Sequence, residues 1–383
     1  MPVYTQNNRQ YLVMICLPFC IALNSLSHAA PAIVPTQQAS VIKTFLSYPQ
    51  PDTQLGEKLY PHEALYAQNI ADALKNVIRQ RDGHAIARRD VHPKAHGCVK
   101  AEFQVLDQLP IALAQGLFKA GSRYPAWIRF SNGSQNLDHP DIKGDARGMA
   151  IKVLNVDGQK LLEDNANPSA QDFILINHPV FFVNDPKRYL SLTRAINGNL
   201  LNKLMIPFAL GFKGSKIAIQ STRSKIANPV QTRYWSMTAY QWGNGATRNA
   251  VKYSVRPCSA RQDAIPSHPA PNYLRNALKQ SLSKADVCME FLVQPRTSSA
   301  LSVEDAMTEW KERNAPFYKV ATLTIPRQEF DNPAQNQFCE NLAFSPWHAL
   351  PAHKPLGVSN RLRKVVYAQI SQFRQQLNHV AAP

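Results

Sequence analysis

The sequence predicts an α+β protein, a curved antiparallel β-barrel with surrounding helices. Short apolar stretches rich in β-branched and aromatic residues, separated by turn signals, fill residues 98–183. A second group of such stretches occupies the later half of the chain. Helical spacing dominates near the two ends, so strands and helices run in blocks and not as alternating βα units.

Taken in order, residues 1–29 read as an export signal. A start ending in Arg9 precedes the apolar run "YLVMICLPFCIAL" and a small-residue site at Ala29. The run is too short to span a bilayer, and Cys16 and Cys20 lack the preceding small residue that a lipid anchor needs. The expected location is periplasmic or secreted. Residues 30–55, rich in Pro and polar residues, read as an extended arm, and 56–383 as one large domain, because no internal repeat or compositional break divides it. A helix is expected at about 56–80. Strands follow at "AEFQVL", "YPAWIRFS", "GMAIKVLNV" and "FILINHPVFFV". A partly helical stretch at 186–227 leads to "RYWSMTAYQWG", "NAVKYSVRP", "CMEFLVQPR" and "FYKVATLTIPR", then a Pro-rich loop and a closing helix. That last helix, from Asn360 to Asn378, contains no Gly or Pro and takes Ser359 or Asn360 as its cap.

Composition narrows the function classes. The formal charge is +17; loss of residues 1–29 removes one Arg and no acid, leaving 42 basic minus 26 acidic, +16. Such a balance suits nucleic acid, an anionic membrane surface or an acidic ligand. The basic residues are dispersed and no nucleic-acid module is present, which argues against a nucleic-acid protein. No segment after residue 29 is long and apolar enough to be an integral membrane span. Cys98, Cys258, Cys288 and Cys339 form no CxxC pair, so a zinc site is not expected, and their spacing identifies no disulfide partners.

Several residues carry candidate chemistry. His92 and His96 stand four apart, but Pro93 between them spoils a helical metal pair. Arg129 sits in an apolar strand, where a guanidinium needs a carboxylate or another anion. Asp145 and Arg147 read alone as a structural ion pair, and Gly148 leaves room for another group to approach. On the closing helix, Arg363, Tyr367, Ile370 and Arg374 share one face.

In this order the stretches resemble the catalase-like haem protein superfamily, as a short, exported member with a catalase-like core. The chain carries Arg89, Val91, His92 and Lys94; Arg129 to Ser131; Asp145, Arg147, Gly148, Ala150 and Lys152; Asp172, Asn177, Pro179, Phe181, Phe182, Asp185 and Pro186; then Arg363, Tyr367 and Arg374. The resemblance covers roughly 89–374. It implies haem b, with Tyr367 as the iron ligand. Arg363 would supply the cation that favours its phenolate. Arg89, Arg129 and Arg374 would meet the propionates, and Phe181 would pack over the ring. His92 would shuttle the peroxide proton, with His96 as the alternative.

One departure matters. Ungapped alignment from Asp172 puts Ile176 where the family has its peroxide-binding Asn, with Asn177 next to it and His178 in place of Thr. The resemblance therefore implies a haem-dependent peroxidase or weak catalase acting on hydrogen peroxide or organic hydroperoxides, with an unknown electron donor. The alternatives are fatty-acid hydroperoxide rearrangement and a non-catalytic haem-binding or haem-sensing periplasmic protein. The oligomeric state is left open.

Overall fold

The structure, a computed structural model, describes residues 48–83, 85–162 and 167–379. The export signal and residues 30–47 of the arm lie outside the described residues. Helix α1 (Glu63–Asp82) is followed by strands β1 (Ala95–Val105), β2 (Arg123–Asn132), β3 (Arg147–Val153) and β4 (Gln171–Ile176). Helices α2 (Pro186–Asn197), α3 (Leu200–Leu204) and α4 (Ile206–Thr222) come next, then β5 (Tyr234–Trp235), β6 (Tyr240–Trp242) and β7 (Asn249–Pro257). Helix α5 (Tyr273–Lys284), β8 (Val287–Pro295), β9 (Tyr318–Ile325), α6 (Pro333–Asn341) and α7 (Val358–Leu377) complete the order.

The strands pair antiparallel in the order β5-β4-β3-β2-β1-β9-β8-β7, and β5 also pairs with β7, so eight strands close into a barrel with β6 added at β7. Closure leaves those strands no free edge to manage. The interior is packed with aromatic rings: Phe173 lies 4.7 Å from Phe291 and 5.1 Å from Tyr253 by ring centroid, in edge-on arrangements that suit the ring quadrupoles. A second apolar cluster joins α1, α2 and α7 through Ile70, Leu74, Leu190, Leu362 and Val366.

The fold class agrees with the expectation, and the differences have local causes. "FILINHPVFFV" is not one strand: β4 ends at Ile176, because Asn177 turns the chain with its side-chain oxygen accepting from the Arg147 backbone N–H at 2.7 Å. "RYWSMTAYQWG" is split in two by Met237 at φ +62°. Helix α5 was not expected, and α6 stands in what reads as a Pro-rich loop; Pro333 opens α6, where its missing N–H costs nothing, and Asn332 caps it. Neither Ser359 nor Asn360 caps α7. Gly357, at φ +84°, precedes the helix, and the Asn360 amide instead donates to the backbone carbonyls of Ala239 and Leu356.

Two disulfides are formed, Cys98–Cys339 and Cys258–Cys288, with Cα separations of 6.0 and 5.5 Å. The first ties β1 to α6, and the second ties the end of β7 to β8.

Candidate active site

Strand alternation builds one wall of the site. Because successive side chains point to opposite faces, Ile128, Phe130, Met149, Ile151, Phe173 and Leu175 fill the barrel, and the residues between them face outward. Register then lines these outward residues up across β2, β3 and β4: Arg129 opposite Ala150 opposite Ile174, and Ser131 opposite Gly148 opposite Ile176. A cavity lies against this wall. Arg89, Asp90, His92, Arg129, Ser131 and Gly148 line it, together with Tyr367, Ile370 and Arg374 from α7.

His92 lies over Gly148. A methyl group on Gly148 would sit 2.6 Å from His92 Nδ1 and 2.7 Å from Ser131 Oγ, so only glycine admits the ring there. Nδ1 is 3.1 Å from Ser131 Oγ. The residue adopts φ +60°, a conformation that a non-glycine residue holds only when its surroundings enforce it. Burial pushes the imidazole down to about 4, and the charge of Arg129 acts in the same direction; the ring is therefore neutral at pH 7 and able to accept a proton.

Three guanidiniums gather at the cavity. Arg89 meets Glu340 at 3.1 Å and Arg374 meets it at 2.6 Å. Burial pushes the Glu340 carboxyl up, but Arg89, Arg374 and Arg129 outweigh this and hold it below the ordinary range. Burial drives Arg374 down to about 10, and Arg89 adds to the effect. Arg129, 3 % exposed, donates through Nη2 to the carbonyls of His92 and Pro93 at 2.8 and 3.3 Å. Its buried Nε has no partner among the described residues, and burial together with Arg89 lowers its pKa strongly. The sequence expectation of a carboxylate or anion beside Arg129 thus meets a guanidinium held by carbonyls with one donor to spare.

On α7, burial pushes the Tyr367 phenol up while Arg363 pulls it down and Asp90 raises it further. In the protein alone, burial wins. Arg363 is buried one turn before Tyr367, lies 5.3 Å from the Phe181 ring and donates to Asn360 Oδ1 at 3.2 Å.

The structure brings His92, Arg89, Arg129, Tyr367 and Arg374 to one cavity and sets Arg363 beside it. His96, Asn177 and Phe181 are not among the lining residues. His96 is buried, with Nε2 2.8 Å from Asn132 Oδ1 and Nδ1 3.8 Å from Asp141; burial pushes it down to about 3 against the pull of Asp141. The Asn177 amide is engaged at both ends, since Oδ1 accepts from Arg147 N–H and Nδ2 donates to Ser224 Oγ at 2.8 Å. Phe181 packs with Ile176, Val183, Met237 and Ala306. The sequence reading gave no role to Ser131, Asp90 or Glu340. Ser131 was within reach of it, because its strand spacing from Arg129 puts both on one face. Glu340 lies 251 residues from Arg89, and nothing local signals the pair.

Known proteins resemble this chain in sequence and in fold. A family model described as catalase matches residues 61–265, more than half of the 383-residue chain. The chain is 22% identical to the peroxisomal catalase of Candida albicans over 364 residues, covering 88% of this chain and 70% of that one. It is 27% identical to the catalase-related peroxidase of Mycolicibacterium paratuberculosis over 218 residues, covering 55% of this chain and 66% of that one. The structure of catalase A from Saccharomyces cerevisiae superposes with a TM-score of 0.61 at 21% identity, over 80% of this chain and 64% of that one. The chain therefore spans about two thirds of the length of these relatives. The matched residues include the wall that carries His92, Arg129 and Gly148: the chain belongs to the catalase family.

Proposed function

We propose that the protein is a haem-dependent peroxidase, with weak catalase activity, acting on hydrogen peroxide and organic hydroperoxides. The fit to haem b rests on the cavity's own chemistry. Val91, Ile174, Leu342, Phe344 and Ile370 offer apolar surface to a flat ring. Arg89, Arg129 and Arg374 offer guanidiniums to its carboxylates, and the unpartnered Nε of Arg129 is a donor left for one of them. Tyr367 would hold the iron, with Arg363 favouring its phenolate over the phenol. Bound haem would supply a redox iron that takes oxidising equivalents from peroxide.

The protein's own contribution is proton handling. With Nδ1 directed at Ser131 Oγ, His92 would have Nε2 to accept a proton from the peroxide and to return it to the departing oxygen. Burial keeps the ring neutral at pH 7, so it is free to accept, and makes it a weaker base than a free imidazole. The observation that carries the peroxidase assignment is the row Ser131–Gly148–Ile176, of which Ser131 and Gly148 line the cavity and Ile176 stands at the end of the row in the Phe181 cluster. Ile176 has no donor or acceptor, and the Asn177 carboxamide is engaged at Arg147 and Ser224, so a second peroxide lacks the amide contact that would hold it as a reductant. Electrons must then come from another molecule. The two disulfides support an oxidising compartment, periplasmic or extracellular.

The test is oxygen evolution set against dye oxidation by the haem-loaded protein, with hydrogen peroxide and with an organic hydroperoxide. Clear dye oxidation with both peroxides and little oxygen is expected. Oxygen evolution at the rate of a full-length catalase without dye oxidation would overturn the assignment.

A further inference from the structure

Helices α2 to α4 expose apolar surface that the site does not use. Leu200, Leu201, Leu204, Met205, Phe208 and Phe212 project from α3 and α4, with Leu200 77%, Phe208 74% and Phe212 91% exposed. Leu200, Leu201, Leu204, Met205 and Phe208 recur at spacings of three or four residues, which keeps them on one side, and the exposed Phe212 follows a break at Gly211, φ +66°. The opposite side is already packed, where Ala209 and Leu210 meet Leu192 and Phe182. Contiguous exposed apolar surface on this scale marks an interaction face.

Charge identifies the occupant. From Pro186 to Gln262 the chain contains no Asp or Glu, and between residues 186 and 225 it has eight basic residues, Lys187, Arg188, Arg194, Lys203, Lys213, Lys216, Arg223 and Lys225. Lys203 and Lys216, on the same helices as the apolar stripe, are exposed; Lys213 reaches Asp305 at 3.6 Å. A second copy would bring the same basic rim against itself, on a chain already carrying +17. An anionic bilayer meets both features, taking apolar side chains at the boundary between headgroups and acyl chains and basic ones at the phosphates. Among the described residues no helix is long and apolar enough to cross a membrane.

We propose that the α3–α4 face docks the protein peripherally on an anionic phospholipid bilayer, with Phe208 and Phe212 inserted and Lys203 and Lys216 at the headgroups. The same segment rests on the motif leading to the site, since Phe182 packs against both Leu210 and the Phe181 cluster. Docking rests on surface chemistry alone and stands whether or not the peroxidase assignment does.

The experiment is co-sedimentation of the full chain with vesicles of phosphatidylcholine alone and of phosphatidylcholine mixed with phosphatidylglycerol, at low and high salt. Strong binding to the mixed vesicles, weakened by salt, is expected. Phe208→Ser with Phe212→Ser should weaken it about tenfold or more for each phenylalanine. Lys203→Glu with Lys216→Glu should weaken it about fivefold or more for each lysine. Residues 1–47 are common to every variant, so their contribution cancels. Phe212→Trp, a conservative change at an exposed position, adds a second readout, because brominated acyl chains should quench its fluorescence. Unchanged binding by both double variants, equal binding to the neutral vesicles, or no quenching would overturn the proposal. So would sedimentation as a dimer that Phe208→Ser with Phe212→Ser converts to monomer without any vesicle binding.

Discussion

Arg361 and Arg129 are both buried arginines of the same domain, and their surroundings are opposite. Arg361, fully buried at the start of α7, bonds Glu57 at 2.6 Å and Glu63 and Glu304 at 2.8 Å, and donates to the Lys58 carbonyl. Burial alone would push its pKa down, but Glu63 and Glu304 outweigh burial and hold it up. Arg129 donates to two carbonyls, feels only at a distance the one glutamate that Arg89 and Arg374 bond, and keeps Nε unpartnered. A guanidinium surrounded by carboxylates is finished as structure, whereas three guanidiniums around one carboxylate leave positive charge for a ligand. The count of local countercharge separates scaffold from site here, although both arginines are buried to nearly the same extent.

The largest expected effect tests the scaffold half of the contrast. Arg361→Ala leaves three carboxylates buried around a vacancy, and breaking such a network costs about 3–5 kcal/mol. Denaturant midpoints should fall accordingly, and Arg361→Lys should restore only part of the loss, because an ammonium cannot reproduce the planar fork. A change within about 0.5 kcal/mol, the range of an ordinary surface substitution, would show that the network is not what secures α7.

Tyr367→Phe is the corresponding change on the site half. The unfolding midpoint of the haem-free protein should hardly move, because the ring is kept, while haem affinity should fall by more than the roughly 10–100-fold typical of a partner behind a metal ligand. Unaltered haem content and an unaltered ferric spectrum would remove Tyr367 as the ligand.

The two halves were not equally legible in the sequence. Arg363, Tyr367 and Arg374 share a face at helical spacing, and Arg129 and Ser131 share one at strand spacing, so local periodicity predicts where their side chains point. Arg361 stands two residues before Arg363, yet its role could not be seen, because its partners Glu57 and Glu304 are 304 and 57 residues away. The barrel was legible through its strand composition. Helices α5 and α6 were not, since each is short and lies beside Pro-rich sequence. The roles of His96 and Asn177 depended on tertiary partners, Asn132 for one and Arg147 with Ser224 for the other.

Arg129→Ala sharpens the contrast directly. It removes an undercompensated charge, so the haem-free protein should be as stable as wild type or more so, while haem affinity drops about tenfold, the worth of one charge-assisted bond. Calorimetry of the haem-free protein and titration with haem read the two effects separately. Destabilisation on the scale of Arg361→Ala would put Arg129 in the scaffold and end the distinction.

The smallest effect comes from a buried histidine away from the site, His353, and its sign can be worked out. The Leu117 backbone N–H donates to its Nε2 at 3.3 Å, and the ring packs between Phe118 and Trp242 with centroids 5.4 and 5.1 Å away. Its Nδ1 has no partner among the described residues. Burial pushes the pKa down to about 3 from the usual 6.5, so the folded ring stays neutral where the unfolded one takes up a proton. The unfolded state then binds more protons between pH 6.5 and 3, and stability present above pH 6.5 is lost as pH falls through that window. The loss from this residue alone is about 1.4 kcal/mol at pH 5.5. His353→Gln keeps an acceptor for Leu117 and removes the titration, so its stability curve against pH should be flatter than wild type by that amount, whatever the variant costs at neutral pH. Unfolding free energies measured at pH 7.5 and pH 5.5 for both proteins give the difference without further assumption. Parallel curves would mean that His353 takes up its proton as readily folded as unfolded, and that the aromatic packing around it tolerates a charge.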